Sequence, residues 1–305
     1  MKAALFVVLA VLTAVFVLAW AGAIRREQAS TGGAAHPWRP TLAQTLLGFV
    51  TNFFDTLGIG SFAPTATVFR WTRMVPDESI PGTMNVGHTL PVVVMAYIYI
   101  ATVDVDVTTL VALISASVVG AWFGAGIVAR LPRRPIQVGI GCALLVAVAL
   151  MVIKQLDSGP AGGAALGLTA GRLVFATLCS VLLGALNTIG VGFYGPCMIL
   201  IALLGMDPKA AFPIMMGSCA FLMPVGSTRF VRMGAYSMRP ALGLALGGVP
   251  AVPIAALLVR SLPLDALRWL VIVVAAYTAV TMLRAGPRGD PIKAGSTASP
   301  DCWRS

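Results

Sequence analysis

The residues best suited to chemistry lie in a motif that occurs twice in the chain. The ten residues DTLGIGSFAP at positions 55–64 return as NTIGVGFYGP at 187–196, so that Thr56 and Thr188 are 132 residues apart. Each copy has two glycines separated by one residue, which let the backbone turn, and a proline four residues later, which suits the first turn of a helix. Each copy is therefore expected to break a helix into two halves.

A half-helix that begins inside a membrane protein offers a site for a small anion. Its first N–H groups have no partner within the helix and carry roughly half a positive charge, so two converging half-helices attract an anion without any buried Lys or Arg. The predicted substrate-binding residues are Thr56, Gly58, Gly60, Ser61, Phe62, Asn187, Thr188, Gly190, Gly192 and Tyr194. The alternative is that glycine and proline only kink packed helices, but the recurrence of the breaks at matching positions favours a site.

Two ionisable residues, one in the first motif and one in the span that follows it, are candidates for coupling anion binding to protons. They are Asp55 and His88, and an ionisable group at membrane depth is costly and therefore functional by default. The alternatives are a capped or solvated carboxylate and a buried histidine satisfied by a backbone carbonyl. The residues predicted to line the same cavity are Asn52, Asn85, Ser218 and Cys219. The cysteines have no metal-site spacing, so we predict no metal. We also predict no cofactor and no catalytic residue.

The composition is that of a membrane protein with many spans. Of the 305 residues, 58% are hydrophobic and 10% are charged, whereas soluble domains carry about 25% charged residues. The net charge of +10 comes from Lys and Arg in short loops between apolar segments, which indicates a role in topology rather than nucleic-acid binding. We therefore expect the lipid bilayer as the surroundings and no nucleic acid as a partner.

The lengths of the apolar segments predict which of them cross the membrane. The first, at 3–24, exceeds the roughly 7–15-residue core of a signal peptide and is predicted to be a retained span. The segments at 42–70 and 173–205 exceed the about 20 residues of one crossing, and each contains the motif. Re-entrant hairpins there would gather most of the positive residues on one side of the membrane, as the positive-inside rule requires, whereas full crossings would divide them more evenly.

The predicted fold is an all-α polytopic membrane protein with two inverted repeats. Each repeat is a broken re-entrant helical hairpin plus three transmembrane helices, an odd number of crossings that gives the halves opposite orientation. One extra transmembrane helix precedes them, with the N-terminus outside and the C-terminus in the cytoplasm. The predicted divisions are an N-terminal helix and cytoplasmic linker at 1–40, repeat 1 at 41–156 with its hairpin tip at 55–64, a linker at 157–172, repeat 2 at 173–284 with its tip at 187–196, and a disordered cytoplasmic tail at 285–305.

The two motifs, Gly58-Ile59-Gly60 with Pro64 and Gly190-Val191-Gly192 with Pro196, are each followed by a span bearing proline and methionine. They resemble the TauE/SafE family of sulfite and organosulfonate exporters, also called the toluene sulfonate uptake permease family. The likeness covers about residues 42–284, with Ser61-Phe62 and Phe193-Tyr194 standing where members carry a longer glycine run. The resemblance implies a secondary transporter, most simply an exporter, of sulfite, sulfonates or related small anions in the inner membrane of a bacterium.

Two other functions are compatible with the sequence. An anion channel is not distinguished from a carrier by sequence alone. An intramembrane hydrolase using Ser61 and His88 is much less well supported, because the GxSxG arrangement is absent and Phe193 replaces the serine in the second copy. We therefore predict that the protein is not an enzyme. The identity of the anion, the direction of transport, the coupling ion and the oligomeric state are left open.

Overall fold

The computed structural model describes residues 2–30, 39–128, 133–157, 163, 165–187, 193–261 and 263–284. Within these residues the chain forms α-helices and no strand. The helices are α1 Lys2–Ser30, α2 Leu42–Thr56, α3 Phe62–Thr72, α4 Ile80–Thr102, α5 Val107–Val128, α6 Arg133–Asp157, α7 Ala170–Asn187, α8 Tyr194–Leu203, α9 Ala211–Met233, α10 Met238–Ser261 and α11 Leu264–Arg284. Two short 3₁₀ turns, Asp77–Ser79 and Pro208–Ala210, lead into α4 and α9.

Five stretches of helix among the described residues are long and apolar enough to cross a membrane. They are Lys2–Ala29, Asp77–Thr102, Ala170–Asn187, Pro208–Met233 and Met238–Val259. Shorter apolar stretches occur at Val107–Phe123, Leu144–Ile153, Tyr194–Leu203 and Trp269–Thr281. The prediction of an all-α polytopic membrane protein is confirmed. Helix α9 runs to Met233, where Gly234 ends it with a φ of 63°.

The order of the helices repeats as the sequence does. The series α2, α3, α4, α5 and α6 returns as α7, α8, α9, α10 and α11, and α3 and α8 begin at Phe62 and Tyr194, which are 132 residues apart. Each pair of short helices is separated by a break. Pro64 and Pro196 each stand third in the half-helix that follows the break, where the missing N–H costs no hydrogen bond.

The first break depends on glycine. Gly58 and Gly60 have φ values of 92° and 90°, a region that residues with a Cβ rarely adopt. The N–H of Gly58 donates to the carbonyl of Asp55 at 2.8 Å and that of Ile59 to Phe54 at 3.1 Å, so α2 ends in a tight turn. The second break falls largely on residues 188–192, which lie outside the described residues.

The two repeats exchange partners. Helix α2 of the first repeat packs against α10 of the second, and the equivalent α7 of the second packs against α5 of the first, while α4 and α9 pack against each other. Glycine permits these close approaches, since a Cβ at Gly48 would collide with the backbone of Leu244, and one at Gly120 with the backbone of Val181. Small residues of this kind are typical of helix contacts in membranes. Each of the helices α2 and α7 is thereby held in place by a helix of the other repeat.

In each broken segment the first residues of the first helix and the last residues of the second lie side by side. These paired ends of the two segments lie beside opposite ends of α4. The start of α2 and the end of α3 lie near the start of α4, because Leu47, Phe69 and Ile80 share one apolar cluster. The start of α7 and the end of α8 lie together, with the Arg172 guanidinium donating to the carbonyl of Leu204 at 3.5 Å. The chain just before α7 meets the chain just after α4, where the N–H of Asp106 donates to the carbonyl of Leu166 at 2.7 Å.

Helix α1 lies outside the repeat and packs on α4 and α9. The Tyr97 hydroxyl donates to the carbonyl of Phe6 at 3.1 Å, and the two rings stack at 5.3 Å. Towards the other end of α1, Phe16 and Trp20 join a cluster with Val86 and Val231. Helix α1 is therefore antiparallel to α4 and parallel to α9. Most of the predicted linker, at 31–38, and the predicted tail, at 285–305, lie outside the described residues.

Candidate functional site

Asp55 and Ser61 face each other across the first break. Asp55 is 2% exposed and Ser61 is 1% exposed. The N–H of Ser61 donates to Oδ1 of Asp55 and the Ser61 hydroxyl donates to Oδ2, each at 3.0 Å. Because Ser61 directly precedes α3, the carboxylate lies at the positive end of that half-helix. The structure thus places Asp55 and Ser61 together at the tip, as a capped pair within the first motif.

A chain of hydrogen bonds joins both arms of the first broken segment to α4. Nδ1 of His88 lies 3.0 Å from Oδ1 of Asn52 on α2, and Nε2 lies 3.1 Å from the hydroxyl of Thr65 on α3. The Asn52 amide nitrogen donates to the carbonyl of Gly48 at 2.7 Å, so its oxygen must accept from His88. Nδ1 therefore carries the proton and Nε2 accepts from Thr65. The Asn52, His88 and Thr65 side chains are fully buried, and we call this hydrogen-bonded chain the hairpin latch.

Several N–H groups at the first tip have no hydrogen-bond partner among the described residues. Within the described residues, no hydrogen bond is formed by the N–H of Gly60, Phe62 or Ala63. A Cβ built on Gly60 would meet no heavy atom of the described residues within 4 Å, so there is open space beside Gly60 in this part of the structure. Unpaired N–H groups at the start of a helix bind anions. The first tip therefore has the donors and the adjoining space that an oxyanion needs.

The second repeat approaches the same region. Tyr194, at the start of α8, and Cys219 on α9 lie near each other and near Asp55. A Cβ on Gly58 would collide with the Sδ-methyl group of Met198 on α8, so the first turn packs directly on the second broken segment. Asn187 ends α7. The other predicted residues of the second motif, Thr188, Gly190 and Gly192, lie outside the described residues.

Other predicted residues bond within their own helices. The Asn85 amide donates to the carbonyl of Pro81 at 2.9 Å, the Ser218 hydroxyl to Ile214 at 2.8 Å and the Thr56 hydroxyl to Asn52 at 2.7 Å. Such bonds are the usual fate of Ser and Thr in helices. Phe62 lies against His88, with 5.7 Å between the ring centroids. Ser61 and His88 are not joined in this structure, because the serine is bonded to Asp55 and both imidazole nitrogens are engaged by the latch.

Sequence reasoning did not identify two residues that complete this region. Thr65 lies one helical turn after Ser61 on α3, and that spacing is the signal that could have found it. Tyr99 on α4 donates its hydroxyl to the carbonyl of Thr56 at 2.9 Å, and its ring packs on Phe212 at 5.1 Å. No local pattern indicates Tyr99, since its partners are distant in sequence.

The second repeat has no equivalent of the latch. At the positions 132 residues after Asn52, Thr65 and His88, the chain carries Gly184, Cys197 and Ala220. A Cβ on Gly184 would collide with the backbone of Ser117 on α5, so this helix pair is closely packed where Asn52 stands in the first repeat. All three latch residues are replaced in the second repeat, as expected if they form one hydrogen-bonded chain in the first.

The comparisons with known proteins agree with this architecture. The model of the family described as sulfite exporter TauE/SafE matches residues 1–152, which include α1 and most of the first repeat. No curated protein and no solved structure matches the chain. The match supports a multi-pass membrane transporter of the sulfite-exporter type. Over these 152 of its 305 residues, the chain is similar to the TauE/SafE family.

Proposed function

We propose that the protein is a secondary transporter, working as an exporter, of small anions such as sulfite or organosulfonates, and that the anion binds between the starts of α3 and α8. The observation that carries this proposal is that the N–H groups of Gly60, Phe62 and Ala63 have no hydrogen-bond partner among the described residues, with open space beside Gly60. In a low-dielectric region such donors stabilise negative charge much more than they do in water. Tyr194 supplies a hydroxyl from the opposite half.

The second step of the proposal is proton coupling through Asp55. An ionised Asp55 repels an anion at short range, whereas its neutral form does not, so proton binding and anion binding favour each other. The Ser61 hydroxyl can donate to an ionised Oδ2 and, after rotating, can accept from a protonated one. The pair can therefore gain or lose a proton without moving the backbone. His88 is assigned the positioning of the tip through the latch and not a place on the proton path, since both its nitrogens are already bonded.

The third step concerns how the site reaches both sides of the membrane. The two broken segments open beside opposite ends of α4 and exchange partners between repeats, features that support an inverted repeat with alternating access. Helices α2 and α10 begin at the same end of the bundle, and this end carries many arginines. Among them are Arg39 and Arg239, and the Nε of Arg239 donates to the Arg39 carbonyl at 3.0 Å. The positive-inside rule assigns this end to the cytoplasm, with the N-terminus outside and the protein in a bacterial inner membrane.

Flux measurements in proteoliposomes test the proposal. The full chain is reconstituted and tracer flux is measured with sulfite, sulfate, thiosulfate, sulfoacetate and taurine, with protein-free vesicles as the control. A carrier gives saturable flux and counterflow, because unlabelled anion inside the vesicle drives entry of labelled anion. Flux without counterflow would favour the anion channel instead. No flux of any of these anions in vesicles with correctly folded protein would contradict the proposal.

A further inference from the structure

A groove of about 540 Å³ runs between α1 and α9, away from the proposed transport site. Its wall is apolar and includes Leu12 and Val15 from α1 and Val225 from α9. Val15 and Val225 are each 48% exposed. One end of the groove is lined by Arg229 and Arg232. The groove thus combines a long apolar surface with two positive charges at one end.

The two arginines occupy neighbouring positions on one face of α9. They are three residues apart on α9, a spacing that places side chains on one face of a helix. In the part of the chain that the structure describes, neither guanidinium has an ion-pair partner. Their forked N–H groups match the oxygens of a phosphate, which they can bind in pairs. The charged end of the groove is therefore suited to a phosphodiester.

The charged end lies where a phospholipid headgroup would be. Helix α9 ends at Met233, one residue after Arg232, and α1 reaches Arg25 and Arg26 at the same end of the bundle. Trp20 and Tyr236 share an apolar cluster at this level, and these residue types are enriched at membrane interfaces. The arginine side chains can extend along apolar surface and leave their charge at the headgroup. The apolar wall, by contrast, lies deeper in the bundle.

We propose that the groove between α1 and α9 binds an anionic phospholipid, with the lipid phosphate at Arg229 and Arg232 and an acyl chain against Leu12, Val15 and Val225. Basic pockets between membrane helices bind anionic headgroups in this way. The ligand is amphipathic as the groove is, and its charge is opposite to that of the two arginines. This site is independent of which anion the protein transports.

Lipid binding by the purified full chain tests the proposal. The protein in detergent is titrated with dioleoyl phosphatidylglycerol or dioleoyl phosphatidylcholine, and bound lipid is counted by native mass spectrometry. The double variant Arg229→Gln/Arg232→Gln should bind phosphatidylglycerol about 30-fold more weakly than the wild type. Phosphatidylcholine, whose choline cation offsets the phosphate charge, should bind weakly to both proteins. The matched control is Arg70→Gln/Arg73→Gln, which removes two charges at the same end of the bundle outside the groove.

A second variant tests the apolar wall with both arginines retained. Val225→Trp should fill the groove and reduce phosphatidylglycerol binding, because the larger ring occupies the place of the acyl chain. Since Val225 is half-exposed, the fold should accept the substitution. Unchanged phosphatidylglycerol affinity in the groove variants would overturn the proposal. Equal loss in the Arg70/Arg73 control would also overturn it, by showing that total surface charge is what binds the lipid.

Discussion

Replacement of Thr65 by valine tests whether the hairpin latch stabilises the first tip. Valine has nearly the shape of threonine, so the change removes the hydroxyl with little effect on packing. The Thr65 hydroxyl is the donor to Nε2 of His88 at 3.1 Å, and both side chains are fully buried. After the substitution the imidazole nitrogen would be a buried acceptor with no partner.

The size of the effect follows from that unpaired nitrogen. Leaving a buried acceptor unsatisfied costs about 1–3 kcal/mol, so Thr65→Val should lower the free energy of unfolding by this amount. The unfolding equilibrium constant should rise about 5- to 150-fold. Thr65→Ser keeps the hydroxyl and should recover most of the loss. The change is measured by equilibrium unfolding of the purified protein in mixed micelles, followed by tryptophan fluorescence.

Thr67→Val is the matched control on the same helix. Thr67 is exposed and its hydroxyl bonds to the carbonyl of Ala63 within α3, so its replacement should change stability by no more than about 0.5 kcal/mol. Equal destabilisation by Thr65→Val and Thr67→Val would refute the reasoning about the latch. A Thr65→Ser protein as unstable as Thr65→Val would also refute it, because the hydroxyl would then not be the group that matters.

Three further predictions concern the tip, the proton and the topology. Gly60→Ala should cost about 1–2 kcal/mol of stability and reduce anion affinity, because Gly60 has a φ of 90°. The control Gly226→Ala, on α9 with open space around it among the described residues, should change neither quantity. Equal effects of the two substitutions in unfolding and binding assays would contradict this prediction. Anion affinity should rise as pH falls in the wild type and lose that dependence in Asp55→Asn, measured with an anion of constant charge; equal pH dependence in both proteins would leave Asp55 a structural cap. Cysteines placed singly at Arg39 and Arg73 should be labelled by an impermeant reagent from one side only, and labelling from opposite sides would rule out the first hairpin.

The broken segments were predictable because backbone chemistry marks them. Glycine at 58 and 60 is required by the positive φ values that the structure shows, and proline at 64 and 196 stands in the first turn of each half-helix, as expected from its missing N–H. These are local constraints, which a sequence records directly.

The contacts of the latch were not predictable in the same way. Asn52, Thr65 and His88 come from three helices, and a threonine in a helix ordinarily bonds to its own carbonyls, as Thr56 does here. Only the packing of α2 and α3 on α4 shows that the Thr65 hydroxyl meets His88. Asn85, three residues before His88, donates its amide to the carbonyl of Pro81 within α4. Side-chain direction is set by tertiary packing, which spacing along one helix does not specify.

The exchange of helix partners between the repeats has a consequence for synthesis. Gly48 packs on the backbone of Leu244, which the ribosome adds 196 residues later. At about 5–20 residues per second, α2 waits roughly 10–40 s for α10. Throughout that time the small-residue surface of α2 faces lipid or the insertion machinery rather than its native neighbour. A polypeptide truncated before residue 238 would leave this surface permanently uncovered, so the first half of the duplication cannot complete its own native packing.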